Sequence, residues 1–225
     1  MTRFALVTTL TFGRVPLVLA GCALLFANFF LSSQALLAAG LALCAASAVT
    51  DLFDGMLARR WGVTSRFGAL ADPLMDKAFF MATLPLAAFG AMWTGDIVHA
   101  SVLLGLDLLF LFRDQWVSFL RTVCGERGAE VKAALPGKIR TFLAFPGILA
   151  VHYRIGMVSV VQGAPAHEGA WIPPAAAIYA VEAVLAALTV WTAGYYTRSY
   201  APYLRAAAAP EARQSHAARG EETGK

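Results

Sequence analysis

The sequence predicts an all-α integral membrane protein with six transmembrane helices. Hydrophobic residues occupy 59% of its 225 positions and charged residues only 14%, and the mean hydropathy is +0.63. Soluble domains usually carry about 25% charged residues. The stretch from Val15 to Thr50 has no charged residue and far exceeds the roughly 20 apolar residues that cross a bilayer. These observations exclude an ordinary soluble enzyme and a disordered chain.

Six apolar runs, separated by turn or charge signals, predict the helices in chain order. They cover residues 15–31, 35–60, 66–92, 99–123, 139–161 and 173–197. The first two fill the charge-free stretch and are joined by a turn at Ser32, Ser33 and Gln34. The fifth contains Pro146 and Gly147, a break that membrane helices tolerate when neighbours pack around it. A polar tail follows the sixth, so we expect one membrane domain over residues 1–205 and a disordered tail over 206–225.

The distribution of basic residues predicts the orientation. If the N-terminus is inside, most arginines and lysines fall on one side of the six spans, with Arg154 as the clear exception. Both termini are therefore expected in the cytoplasm, and the basic side would attract anionic lipid headgroups and phosphorylated substrates. Cys22, Cys44 and Cys124 form no CxxC pair and have no nearby histidine at ligand spacing, so we expect neither a disulfide framework nor a zinc site.

Four aspartates interrupt otherwise apolar helices, namely Asp51 and Asp54 in the second and Asp72 and Asp76 in the third. Four unpaired carboxylates near the bilayer centre would cost on the order of 10 kcal/mol on insertion scales. Each pair lies on one helix face, and the short connection predicts antiparallel neighbours whose acidic faces converge. Such a cluster needs cations between its carboxylates, and an all-oxygen ligand set favours magnesium or manganese.

The spacing of these aspartates and of nearby small and basic residues resembles the signature of the CDP-alcohol phosphatidyltransferase family. The matching positions are Asp51, Asp54, Gly55, Ala58, Arg59, Gly68, Asp72 and Asp76. The resemblance implies a six-helix membrane bundle, usually homodimeric, in which the four aspartates hold two divalent ions, Mg2+ or Mn2+, around the CDP pyrophosphate. It implies that Asp76 is also the base for the attacking hydroxyl.

The same resemblance implies a set of residues that contact CDP-diacylglycerol. They are Thr8, Thr11, Gly55, Ala58, Arg59, Ser65 and Gly68. Taken alone, the small residues would only allow close helix packing, and Arg59 would be an ordinary cytoplasmic flank. Lys77 either tunes the adjacent Asp76 or lies on another helix face, and Asp107 is either a partner of the site or a buried structural acid.

Motifs outside the signature resemble the bacterial phosphatidylglycerophosphate synthases of this family. They are Leu10-Thr11-x2-Arg14, Arg113-Asp114 with Leu120-Arg121, Gly137-Lys138-Ile139-Arg140-Thr141, and Thr189 with Ala193-Gly194-x-Tyr196. The resemblance implies transfer of a phosphatidyl group from CDP-diacylglycerol to glycerol 3-phosphate, in a bacterial inner membrane and on its cytoplasmic side. Arg113, Arg121, Lys138 and Arg140 are the candidate ligands of the acceptor phosphate. The alternative is that they only set topology and bind lipid headgroups.

Several departures from that branch leave the acceptor open. Thr8 replaces Asn, Asp114 replaces Glu, Pro136 precedes Gly137, and Arg140 replaces Lys, which engages phosphate differently. Inositol phosphate, serine or another small alcohol are alternative acceptors. A divalent-cation carrier is the alternative from another class, although ion carriage gives no reason for the Gly-x-x-Ala-Arg spacing, and a non-catalytic scaffold is the third. We expect membrane lipids and a second copy of the chain as partners, and no nucleic acid.

Overall fold

A computed structural model describes the backbone of residues 3–61, 66–125, 135–163 and 171–207. The side chains of residues 3–12, 51–60 and 66–76 lie outside this description. The described ranges contain six helices and no strand: α1 (Arg3–Leu31), α2 (Gln34–Trp61), α3 (Arg66–Trp93), α4 (Ile97–Gly125), α5 (Leu135–Gly163) and α6 (Ala175–Ala207). The prediction of an all-α chain with six helices is therefore confirmed.

Three helices have segments long and apolar enough to cross a bilayer, as judged over the described ranges. These segments are Gly13–Leu31 of α1, Leu135–Gly163 of α5 and Ala175–Ala207 of α6. Shorter apolar segments form part of α2 (Gln34–Thr50) and of α3 (Lys77–Trp93). Both segments are bounded on the side of the signature aspartates by residues 51–60 and 66–76, whose side chains lie outside the described part.

The first and last helices extend well beyond the segments that the sequence predicts. The first begins at Arg3 instead of residue 15, so Thr8 and Thr11 belong to α1, and the last continues through Pro202 to Ala207 instead of ending at residue 197. The predicted ends followed hydropathy, whereas helical hydrogen bonding continues into polar residues beyond an apolar segment. The expected tail lies outside the described residues from position 208, and the division into domain and tail stays a prediction.

The turn between α1 and α2 lies at Ser32 and Ser33, as the sequence predicts. Ser32 has a φ of +47°, and the Ser33 Oγ accepts a hydrogen bond from the Leu36 amide at 3.4 Å, which caps α2. Small residues let the two helices approach closely, because a Cβ on Gly21 would lie 2.6 Å from the Cys44 Sγ. Cys22, Cys44 and Cys124 are free thiols, as expected.

The main apolar cluster contains buried residues from all six helices. Helix α1 packs against α2, α3 and α5, while α4 packs between α3 and α6. Helix α5 continues through Pro146, and Gly147 lets α6 approach, since a Cβ there would lie 3.1 Å from Val181 and Leu185. A second apolar cluster, which includes Val117, Leu120 and Tyr200, joins the C-terminal half of α4 to α6.

Candidate functional site

A cavity of about 570 Å3 lies between α2, α3, α4, α5 and α6. Among the described residues, its basic part, hereafter the basic wall, consists of Lys77, Arg113, Arg121, Lys138 and Arg140, together with the carboxylate of Asp114. Its apolar part, hereafter the apolar wall, consists of Ala45, Ala48 and Val49 from α2 and Phe142, Phe145, Pro146 and Leu149 from α5. The cavity is therefore charged on one side and apolar on the other.

Helical periodicity explains why these residues share one cavity. On α4, Arg113, Val117 and Arg121 are four residues apart, and on α5 the series Thr141, Phe145 and Leu149 has the same spacing. Residues at this spacing lie on one helix face. Along α5 this face changes from cationic at Lys138 to apolar within about one turn of 5.4 Å.

The Asp114 carboxylate joins two arginines from adjacent helices. Its Oδ1 accepts hydrogen bonds from Arg113 Nη1 at 2.8 Å and from Arg140 Nη1 at 3.1 Å. The Arg140 side chain is almost fully buried, with 2% of its surface exposed, and that of Asp114 is 14% exposed. Charge-assisted hydrogen bonds of this kind are stronger than neutral ones, so the two guanidinium groups are held together at the cavity wall.

Helix α6 holds the same two arginines from behind. Arg113 Nε donates to Thr192 Oγ1 at 3.1 Å, and Arg140 Nε donates to Thr189 Oγ1 at 3.2 Å. Both threonines are fully buried. The Arg140 Cζ also lies 4.0 Å from the centroid of the Phe110 ring, a favourable cation–π distance. The positions of Arg113 and Arg140 are therefore set by three helices at once.

Tyr196 separates Arg113 from Arg121. The two Cζ atoms lie 5.4 Å and 5.5 Å from the centroid of its ring, and Arg121 Nη2 donates to the Tyr196 hydroxyl at 3.5 Å. Gly137 is required for this arrangement, because a Cβ there would lie 2.9 Å from the Tyr196 hydroxyl and 3.4 Å from Arg113 Nη2. The aromatic ring thus spaces two like charges along the basic wall.

The cavity adjoins both acidic segments of the sequence motif. Lys77, which donates to Ser118 Oγ at 3.1 Å, lines the cavity and directly follows Asp76. Val49 lines it from α2, two residues before Asp51. Of the two sequence-based alternatives for Lys77, the structure favours a place at the site over a position on an unrelated helix face.

The signature residues themselves lie on helical backbone whose side chains are outside the described part. Asp51, Asp54, Gly55, Ala58 and Arg59 belong to α2, and Gly68, Asp72 and Asp76 belong to α3. Thr8 and Thr11 belong to α1, with side chains likewise outside the description, and Ser65 lies outside the described residues altogether. Metal binding, the role of Asp76 as base and the contacts to CDP-diacylglycerol stay predictions. The ligand chemistry, four carboxylates, fits a hard divalent ion.

All four residues that the sequence assigns to the acceptor phosphate meet in this one cavity. Their role as phosphate ligands stays a prediction. Sequence reasoning named Asp114, Thr189 and Tyr196 as motif positions but did not identify them as the partners that hold these cations, and it missed Thr192 on α6 altogether. A usable signal was present, since Thr189 and Thr192 lie three residues apart in an otherwise apolar helix, where hydroxyl groups need hydrogen-bond partners.

Comparison with known proteins gives one consistent result. A protein of Mycobacterium tuberculosis (strain CDC 1551 / Oshkosh) named probable phosphatidylglycerophosphate synthase is 34% identical over 137 residues, which cover 61% of this chain and 57% of that protein. The CDP-diacylglycerol–glycerol-3-phosphate 3-phosphatidyltransferase of Cereibacter sphaeroides is 30% identical over 184 residues, or 71% of this chain and 80% of the relative. The protein of the same name from Pectobacterium atrosepticum is 32% identical over 110 residues, which cover 48% of this chain and 57% of the relative.

The match thus spans little more than half the length of the first of these relatives. No solved structure gives a significant match to the chain. A family model described as CDP-alcohol phosphatidyltransferase matches residues 4–191, from the start of α1 well into α6. This match includes both acidic segments and all four arginine and lysine residues assigned to the acceptor. The chain belongs to the CDP-alcohol phosphatidyltransferase family.

Proposed function

We propose that this protein transfers the phosphatidyl group of CDP-diacylglycerol to glycerol 3-phosphate, forming phosphatidylglycerophosphate and releasing CMP. The observation that carries the proposal is the basic wall, where the described lining residues include five cationic side chains and one carboxylate beside the family's acidic segments. The relatives from C. sphaeroides and P. atrosepticum are named for this reaction. The family determines the donor chemistry, and the cavity indicates the acceptor.

The charge of the cavity favours an acceptor that carries a phosphate group. A phosphate dianion compensates surplus cationic charge, and guanidinium groups bind its oxygens with paired hydrogen bonds. Serine has no net charge at neutral pH, so it would leave the basic wall largely uncompensated. Inositol phosphate carries the same phosphate group as glycerol 3-phosphate and is therefore the nearest alternative acceptor.

The apolar wall suits the lipid donor. Its residues Val49 and Phe142 are 48% and 66% exposed, as expected for side chains that meet lipid rather than protein. We place the acyl chains of CDP-diacylglycerol along this wall, with lateral access from the inner leaflet. The donor pyrophosphate would then lie toward Asp51, Asp54, Asp72 and Asp76, which adjoin the cavity along the chain.

The reaction forms one phosphorus–oxygen bond and breaks another. The 1-hydroxyl of glycerol 3-phosphate attacks the β-phosphorus of the donor, and the bond to CMP breaks as CMP leaves. The Asp76 carboxylate accepts the hydroxyl proton. Bound between the four aspartates, two divalent ions, Mg2+ or Mn2+, would neutralise charge on the pyrophosphate and on the departing CMP. Gly55, Ala58 and Gly68 would leave room for the nucleotide, with Arg59 and Ser65 at its phosphates and Thr8 and Thr11 nearby.

The basic wall also argues against the divalent-cation carrier. A cation that approached the aspartates through the described part of this cavity would pass five positive side chains, which repel it. An anionic substrate would be attracted by the same field. A transferase therefore accounts for both the acidic segments and the basic wall, whereas a cation carrier accounts only for the acidic segments.

We further propose that the protein lies in a bacterial inner membrane with both termini and the basic wall at the cytoplasmic side. The positive-inside tendency supports this orientation, since Arg113, Arg121, Lys138 and Arg140 all lie at one end of the bundle. A homodimer is proposed by analogy with the family.

The direct test is CMP release by purified protein with CDP-diacylglycerol and magnesium or manganese. Glycerol 3-phosphate, inositol phosphate, serine and buffer alone would be compared as acceptors, with Asp76→Asn as the inactive control. We expect release that depends on glycerol 3-phosphate and is absent from the variant. Release that depends on another alcohol would support the transferase assignment and change the assigned acceptor. Magnesium transport without CMP release would contradict the proposal.

A further inference from the structure

We infer that Asp114, Thr189 and Thr192 are positioning residues that hold Arg113 and Arg140 ready for the acceptor phosphate. The inference rests on the proposed function and deepens it, because it assigns the affinity for the acceptor to a carboxylate and to two hydroxyl groups on α6. Neither threonine lines the cavity. Both therefore act through the arginines and not on the substrate.

The hydrogen bonds divide each guanidinium into a held side and a free side. Each group has five N–H donors. Nε is taken by a threonine and Nη1 by Asp114 in both arginines. Arg140 Nη2 is buried and has no hydrogen-bond partner among the described residues, while Arg113 Nη2 lies beside Gly137 at the cavity wall. We assign these two Nη2 groups, which bond to none of the described residues, to a ligand at the same site.

The threonine hydroxyls can act only as acceptors toward the arginines. Thr189 donates its own proton to the Leu185 carbonyl oxygen at 2.7 Å, and Thr192 donates to the Thr189 carbonyl oxygen at 3.0 Å. Because a hydroxyl has a single proton, its lone pairs are then directed at Nε of the arginine. The rigid backbone of α6 therefore sets where each guanidinium lies.

Asp114 affects an incoming phosphate in two opposite ways. Its charge allows two guanidinium groups to lie side by side in a buried site before any ligand binds, since unpaired like charges repel. Positioning of this kind lowers the entropic cost of ordering two long side chains at the moment of binding. The same negative charge repels the phosphate directly. Replacing Asp114 by Asn removes both effects, so the sign of the change in affinity shows which effect dominates.

The test compares Asp114→Asn with the double variant Thr189→Val and Thr192→Val, which leaves all charges unchanged. We expect each to raise the KM for glycerol 3-phosphate about tenfold, the loss typical of one charge-assisted hydrogen bond, with little change in the KM for CDP-diacylglycerol. Asp114→Glu should restore most of the affinity. The matched control is Thr197→Val, because the Thr197 hydroxyl accepts from Trp116 Nε1 at 2.8 Å and contacts no arginine among the described residues.

A KM for glycerol 3-phosphate that falls or stays constant in Asp114→Asn would overturn the inference for Asp114. If the double threonine variant leaves the KM for glycerol 3-phosphate unchanged, the inference for Thr189 and Thr192 on α6 is overturned. If Asp114→Asn does not fold, as judged by the absence of a thermal unfolding transition in detergent, the charge-neutral threonine variant decides alone. Calorimetric binding of glycerol 3-phosphate without donor separates the two proposals: wild-type binding without turnover would contradict the proposed function, while weaker binding by the variants would still support positioning.

Discussion

The interface between α4 and α6 buries ionisable side chains at both ends, and the two ends differ in charge balance. At one end His99 Nε2 lies 2.6 Å from Glu182 Oε1, and these side chains are 5% and 2% exposed. A cavity of about 280 Å3 beside them is lined by one further carboxylate, Asp96, and one further cation, Arg154. At the other end the described lining residues of the larger cavity include five cationic side chains and one carboxylate.

This difference shows which property indicates a ligand site. A buried histidine and glutamate that bond to each other are compatible with a purely structural role. At the other end the described lining residues carry a surplus of positive charge, which costs free energy unless the adjoining aspartates or an anionic ligand compensate it. Burial and the presence of a cavity do not distinguish the two ends, whereas the charge of the described lining residues does.

The largest expected effect comes from removing one cation at the basic wall. Arg140→Met deletes a nearly fully buried guanidinium, and we expect kcat/KM for glycerol 3-phosphate to fall about 100-fold or more, because the loss of a buried charged partner costs several kcal/mol. Steady-state CMP release would measure it. The contrasting variant, Glu182→Gln at the balanced end, should leave kcat/KM nearly unchanged; an equal loss in both variants would contradict the comparison.

A stability effect without a kinetic one is expected at the balanced end. Glu182→Ala removes the partner of His99 Nε2 and leaves a buried polar group without a hydrogen bond. This should lower the free energy of unfolding by about 1–3 kcal/mol. The melting temperature of the purified protein in detergent should fall, and the KM for glycerol 3-phosphate should not change. A rise in this KM with an unchanged melting temperature would show that the balanced end takes part in acceptor binding.

Removing both partners at this end should cost less than removing one. The double variant His99→Leu with Glu182→Leu leaves no buried polar group of the pair, and apolar replacements of buried ion pairs are often neutral or stabilising. We expect its melting temperature to exceed that of Glu182→Ala. A double variant less stable than the single one would indicate that the His99–Glu182 contact itself stabilises the bundle.

The smallest expected effect concerns the spacing of the basic wall. Gly137→Ala would place a Cβ against the Tyr196 hydroxyl and Arg113 Nη2, so we expect a rise of a few-fold in the KM for glycerol 3-phosphate. Gly194→Ala is the matched control, because a Cβ there has no neighbour within 4 Å among the described residues. In a helix this control should be neutral or stabilising by about 0.5–1 kcal/mol. A comparable rise in KM for both variants would refute a specific role for Gly137.

The sequence predicted much of the fold and half of the site. Six helices, the turn at Ser32 and a continuous helix through Pro146 follow from hydropathy and turn chemistry, which act over a few residues. The predicted helix ends at residues 15 and 197 were wrong, because hydropathy marks the apolar segment and not the whole helix, which begins at Arg3 in α1 and ends at Ala207 in α6. The four cations of the acceptor set were predicted from motifs that resemble those of phosphatidylglycerophosphate synthases, and the structure brings them to one cavity.

The sequence by itself determined the family, the membrane location of the chain and the residue types of the site, because these depend on composition and on spacings within single helices. Only the tertiary structure decided which groups hold the arginines, since the bonds from Arg113 to Thr192 and from Arg140 to Thr189 join residues 79 and 49 positions apart. It also decided that Lys77 lies at the cavity. Contacts of this kind depend on how helices pack against one another, and no local pattern in the chain encodes the rotation of one helix relative to the next.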